Sequence, residues 1–231
     1  MSFLIVGPWT DELEPESIDI IEESVAIDSR GEHLSAVLSY PFADAPRGAA
    51  LVAGPHPLMG GGLQNNVVRA VARGMAEHGF VALRFAYGGA GPTAQTMQEF
   101  WRTGNAPDDP NRVDDARAAL TYLTSVCHGP AVLIGYSFGA SVLGALLSES
   151  SPSHLVLIGP TLCQHSFAGV QGSAIPKLVI AGNNDFATPL DSTRTWFDKA
   201  GFPKKLVIIE AGEHFYRGLE DRVVAEIIQW L

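Results

Sequence analysis

The chain has 231 residues, 46% hydrophobic and 17% charged, with a formal net charge of −10. That length suits one α/β domain, residues 1–231, whose core is large enough to need no disulfide or metal staple. The acidic balance excludes a phosphate-gripping surface and disfavours an anionic bilayer, so neither nucleic acid nor membrane is an expected partner.

The opening stretch MSFLIVGPWTDELEPE has no basic leader region, and its apolar run stops at Pro8. The expectation is a cytoplasmic chain with neither signal peptide nor membrane span. Residues 22–28 (EESVAID) put Val25 and Ile27 on one face, and residues 34–40 (LSAVLSY) do the same with Leu34, Ala36 and Leu38. With Gly31 between them, they predict a hairpin of half-buried antiparallel strands.

Past Pro46 the pattern changes. GAALVAG (48–54), FVALRFA (80–86), AVLIGY (131–136), HLVLIG (154–159), KLVIAG (177–182) and KLVIIEA (205–211) are short apolar runs. Strands covered on both faces read that way, which means a parallel sheet between helices. Helical patterns alternate with them. Residues 63–78 place Leu63, Val67, Val71 and Met75 on one stripe, and 112–125 carry Val113, Ala116, Leu120 and Leu123. Residues 137–149, 190–200 and 217–231 complete the series. A mixed sheet of about eight strands with helices on both faces follows. The segment 87–111 fits no element and reads as an active-site loop or small cap. Cys127 and Cys163 read as a reduced, mostly buried pair.

Chemistry enters at Gly135-Tyr136-Ser137-Phe138-Gly139. The pattern Gly-x-Ser-x-Gly is short enough to arise by chance, so its context decides. Here it joins an apolar strand to an apolar helix, where a sharp turn exposes the serine hydroxyl and the glycines leave room for it. A serine hydroxyl needs a base. Two later strand ends supply candidates: Asp185 in NNDFATP and His214 in GEHFYRG. The order Ser137, Asp185, His214 fits nucleophile, orienting acid and general base. Asp191 and Glu210 are fallback acids. An oxyanion needs two N–H donors. Phe138 is one; the other comes from PHPLMGGGLQNN, where Pro55 and Pro57 have no N–H. That leaves His56 or Leu58, of which His56 is favoured. Asn65 or Asn66 is positioned to cap the following helix.

These motifs resemble those of the α/β-hydrolase superfamily, in particular its small bacterial dienelactone-hydrolase-like and serine-esterase-like members. The likeness runs from about residue 47 onward and includes the His56-Pro57 loop with its glycines and asparagines. It implies Ser137, Asp185 and His214 as the catalytic set. Two features depart from it. Relatives commonly carry an Arg-Gly turn after the fourth strand, where this chain has FAYGGAG. The short link PTLCQHSFAGVQGSAI also leaves no space for a large helical lid, so the roof falls to 87–111. Leu58, Tyr87, Phe100 and Trp101 are the expected substrate-lining residues.

The expected function is hydrolysis of a carboxylic ester or thioester of a small molecule through an acyl-enzyme on Ser137. An acyltransferase, lactone-forming or cyclase-type enzyme of secondary metabolism on the same residues is the alternative, and a non-catalytic binding module a third. No cofactor is expected, because the chain has no Gly-x-Gly-x-x-Gly after its first parallel strand, no P-loop and no metal cluster.

Overall fold

In the computed structural model, residues 19–42, 45–89, 93–103 and 111–231 are described. Strands β1 (Ile20–Ser29) and β2 (Glu32–Pro41) form the expected hairpin. Their two-residue turn places Arg30 at φ 54° and Gly31 at φ 80°, which suits the right-handed twist of paired strands. The remaining strands are β3 (Gly48–Ala53), β4 (Phe80–Phe85), β5 (Val132–Tyr136), β6 (His154–Ile158), β7 (Lys177–Gly182) and β8 (Lys204–Ile209). One eight-stranded sheet results, in the order β1-β2-β4-β3-β5-β6-β7-β8. Pairing is antiparallel for β1 with β2 and for β2 with β4, and parallel everywhere else.

The apolar runs are explained by what covers them. In β3, Ala49, Leu51 and Ala53 join one core while Ala50 and Val52 join another. The first core lies under α3 (Asn111–Val126), α4 (Phe138–Ala145) and the short α5 (Ala168–Gln171). The second lies under α1 (Asn66–Glu77) and α7 (Glu220–Trp230). Successive strand residues face opposite sides, so a strand sandwiched between helices is apolar throughout. Two further helices, α2 (Ala94–Thr103) and α6 (Leu190–Lys199), complete the α-helices of the described residues.

Three sequence expectations are revised. Strand β2 is half-buried as expected up to Ser35 but buried on both faces over Ala36–Ser39, where Val37 and Ser39 are covered as well as Ala36 and Leu38. Ser39 is met there by Arg84 of β4, itself 2% exposed, which donates to Ser39 Oγ and Glu22 Oε1 at 2.8 Å each. That ion pair and hydrogen bonding let a guanidinium lie inside the sheet. They also hold the Glu22 carboxyl below the usual carboxylate range. Residues 94–103, expected to be irregular, are helical. Cys127 is buried but Cys163 is exposed, and both are free. No helix among the described residues is long and apolar enough to cross a membrane.

Candidate active site

The parallel strands deliver their loops to one sheet edge, where a ligand crevice is expected. Ser137 sits between β5 and α4 with φ 56° and ψ −119°. Such a backbone costs about 1–3 kcal/mol and persists only where its surroundings impose it. Here the glycines allow it. A Cβ on Gly135 would lie 2.5 Å from Ala140 Cα, and one on Gly139 would lie 2.3 Å from the Ala53 carbonyl oxygen. The Ser137 N–H donates to the Ile158 carbonyl at the end of β6, at 2.8 Å.

Ser137 Oγ lies 2.9 Å from His214 Nε2. His214 Nδ1 lies 3.0 and 2.9 Å from the two Asp185 carboxylate oxygens. The Asp185 and His214 side chains are each 3% exposed. Asp185 Oδ1 also accepts from the Ala187 and Thr188 N–H groups at 2.8 and 3.2 Å, which fixes the carboxylate plane. A continuous relay of hydrogen bonds thus runs from hydroxyl to carboxylate in a largely dry environment.

The loops after β7 and β8 are tied to one another. The Asn184 N–H donates to the Gly212 carbonyl at 2.9 Å, and Gly182 passes so close that a Cβ would meet that same oxygen at 2.2 Å. Thr188 Oγ1 donates to the Pro160 carbonyl at 2.9 Å. Tyr136, beside the serine, donates its hydroxyl to the His214 carbonyl at 2.8 Å. Burial pushes the Tyr136 phenol well above its ordinary pKa, so it remains a donor. Ala211 at φ 58° and Tyr216 at φ 50° bracket His214, placing strained backbone on both sides of the imidazole.

The loop after β3 is compact. The His56 carbonyl accepts from the Met59 and Gly61 N–H groups at 2.7 and 3.1 Å. Only glycine fits at position 61, since a Cβ would fall 1.8 Å from the Pro55 carbonyl oxygen. The Leu58 N–H is spent on His56 Nδ1 at 3.1 Å. That bond leaves a neutral His56 ring with its proton on Nε2. Asn65, not Asn66, caps α1 by accepting from the Val68 N–H at 3.2 Å. Asn66 instead donates to the Phe215 carbonyl at 2.9 Å, bracing the loop that carries His214. Arg84 Nε donates to the Leu63 carbonyl at 3.2 Å, anchoring this loop from beneath.

A cavity of about 510 Å³ opens over Ser137 and His214. His56, Met59, Phe138, Thr161, His165 and Phe186 are on its walls, with Phe100 and Trp101 of α2 above. Of the expected lining residues, Phe100 and Trp101 border it, whereas Leu58 and Tyr87 are not among its walls. Tyr87 stands behind Phe138, its ring 5.8 Å away and its hydroxyl 3.2 Å from the Gly54 carbonyl. The fallback acids lie elsewhere: Asp191 pairs with Arg194 at 3.3 Å, and Glu210 accepts from Asn183 Nδ2 at 2.6 Å. Phe186, Phe215 and His165 were not singled out in the sequence. Single aromatic or histidine residues in loops carry no periodic or motif signal; their adjacency to Asp185, His214 and the link after β6 was the clue.

The stem of the roof segment is fixed by a fully buried carboxylate. Asp115 accepts from Ser29 Oγ at 2.9 Å, Arg30 Nη2 at 2.8 Å and the Gly88 N–H at 2.9 Å. Gly88 packs closely here: a Cβ at that position would lie 2.8 Å from Leu34 Cδ2. Among the described residues, no group of three or more His, Cys, Asp or Glu side chains could hold a metal ion.

Comparison with known proteins gives consistent results. A profile described as "Alpha/beta hydrolase family" matches residues 60–230. A protein of Rickettsia prowazekii described as uncharacterized is 26% identical over 181 residues, 73% of this chain and 71% of the relative. An alpha-beta serine hydrolase homologue from Coxiella burnetii superposes with a TM-score of 0.78 at 22% identity, covering 90% of this chain and 97% of that one. A Xanthomonas campestris protein described as an a/b serine hydrolase without lid gives 0.76 at 24% identity, covering 94% and 95%. At these identities the structural likeness is one of fold.

Proposed function

The chain belongs to the alpha/beta hydrolase family, and from that premise we propose that it is a serine hydrolase of small carboxylic esters or thioesters. The observation that carries this reading is the hydrogen-bonded relay from Ser137 Oγ through His214 to Asp185 on the floor of an apolar cavity. In this reading His214 Nε2 takes the Ser137 proton as Oγ attacks the acyl carbon. The Phe138 and His56 N–H groups receive the developing oxyanion; Phe138 opens α4, where N–H groups have no intrahelical acceptor. His214 returns the proton to the departing oxygen or sulfur. Water, deprotonated by the same imidazole, then releases the acid and restores Ser137. Asp185 keeps the proton of the neutral imidazole on Nδ1 and stabilises the imidazolium. No metal or organic cofactor takes part in these steps.

The test uses purified protein, short p-nitrophenyl esters and a fluorophosphonate probe. The wild type is expected to turn over the esters and take one label at Ser137. Ser137→Ala is expected to lose the label and essentially all turnover. Undiminished turnover in that variant overturns the proposal.

A further inference from the structure

The cavity has two banks that stand differently to the reacting atoms. On one, the rings of His56 and His165 flank Phe138 at 5.0 and 5.1 Å. On the other, Phe186 rests edge-on to His214 at 5.2 Å and against Phe215 at 5.5 Å. Phe186 is 61% exposed although it borders the cavity and touches the buried imidazole. An aromatic ring left largely in water contributes little to the fold, and its place at a ligand crevice calls for a partner.

The proton path says which partner. In acylation the bond from Ser137 Oγ to the acyl carbon forms, the bond from that carbon to the departing oxygen or sulfur breaks, and the departing atom takes the proton held on His214 Nε2. The departing atom must therefore come within hydrogen-bond reach of Nε2, on the imidazole against which Phe186 and Phe215 pack at 5.2 and 6.0 Å. Resting on the serine-hydrolase reading, we propose that Phe186, backed by Phe215, is a specificity-determining residue for the leaving group, and that the preferred substrates are esters or thioesters of a flat aromatic alcohol or thiol. A ring there would cover the exposed face of Phe186 and gain an aromatic contact. A cavity of about 510 Å³ has room for both halves of such a molecule.

The experiment compares benzyl and methyl esters of one short acid, whose alcohols are nearly equal in acidity, in wild type, Phe186→Ala and Phe186→Leu. In Phe186→Ala, kcat/KM for the benzyl ester is expected to fall about tenfold and that for the methyl ester to stay within about twofold. Phe186→Leu should fall between. Deacylation, followed in single turnovers from the common acyl-enzyme, should be unchanged in both variants, because the leaving group has already gone. Equal losses on both esters would mean that Phe186 acts on neighbouring Asp185, and would overturn the proposal. A change in acyl preference without any change between leaving groups would also overturn it. These results differ from failure of the underlying reading, in which no ester turns over and Ser137 takes no fluorophosphonate.

Discussion

On the floor of the cavity, Ser137, Asp185 and His214 are carried by loops cross-tied through Tyr136, Thr188 and the Asn184–Gly212 backbone contact. On its roof, α2 turns Phe100 inward, yet Trp101 beside it is 75% exposed. Among the described residues, the side-chain hydrogen bonds of Thr93, Thr96, Glu99 and Arg102 stay within that segment. The floor is over-determined and the roof is lightly attached. Proton transfer demands atoms held to fractions of an ångström, whereas selecting a side chain of the substrate tolerates play. Rigidity is spent where misplacement is costliest.

The strongest challenge to the floor is Asp185→Asn. The amide keeps the size of the carboxylate but removes its charge and presents the wrong hydrogen-bonding pattern to His214 Nδ1. Turnover of p-nitrophenyl esters is expected to fall about 10³- to 10⁴-fold, with thermal unfolding nearly unchanged. A loss under tenfold would show that the relay does not govern the reaction. Tyr136→Phe probes the cross-tie by deleting only the hydroxyl that holds the His214 carbonyl. It should lower kcat about tenfold at constant KM and destabilise the fold by about 1–3 kcal/mol, the cost of a buried unpaired carbonyl. A change confined to KM would place Tyr136 outside the positioning of His214. Trp101→Ala should act least: stability within about 0.5 kcal/mol of wild type and, for bulky esters, a KM raised about threefold at constant kcat. If Trp101→Ala lowered kcat as much as Tyr136→Phe, the distinction between floor and roof would fall.

The same division governs what was legible in the amino-acid sequence. Strands β3 to β8 were readable because helices cover both faces of most of the sheet, which makes these strands short, mainly apolar runs. The meeting of Ser137, Asp185 and His214 was readable because a tight turn demands Gly135 and Gly139, and because strand ends in a parallel sheet converge on one edge. Helix α2 was missed. Its apolar signal is only Met97, Phe100 and Trp101 in a polar stretch, and the reciprocal Thr93–Thr96 hydrogen bonds that start it span just 2.8 and 3.1 Å of local contact. Leu58 was the alternative oxyanion donor of its loop, but side-chain acceptance by His56 Nδ1 consumes its N–H. Phe186 went unremarked because its importance comes from lying against His214, a neighbour 28 positions along the chain by numbering. Pairwise adjacency of that kind is created by the fold.

Ser137 and the imidazole beside it are 77 residues apart in the chain, and His214 follows β8, the strand at the edge of the sheet. A polypeptide emerging from the ribosome therefore displays its serine long before its base exists. During that interval the hydroxyl is an ordinary alcohol, inert toward the esters around it. The relay is complete only once β8, at the edge of the sheet, has paired with β7 and set His214 beside Ser137.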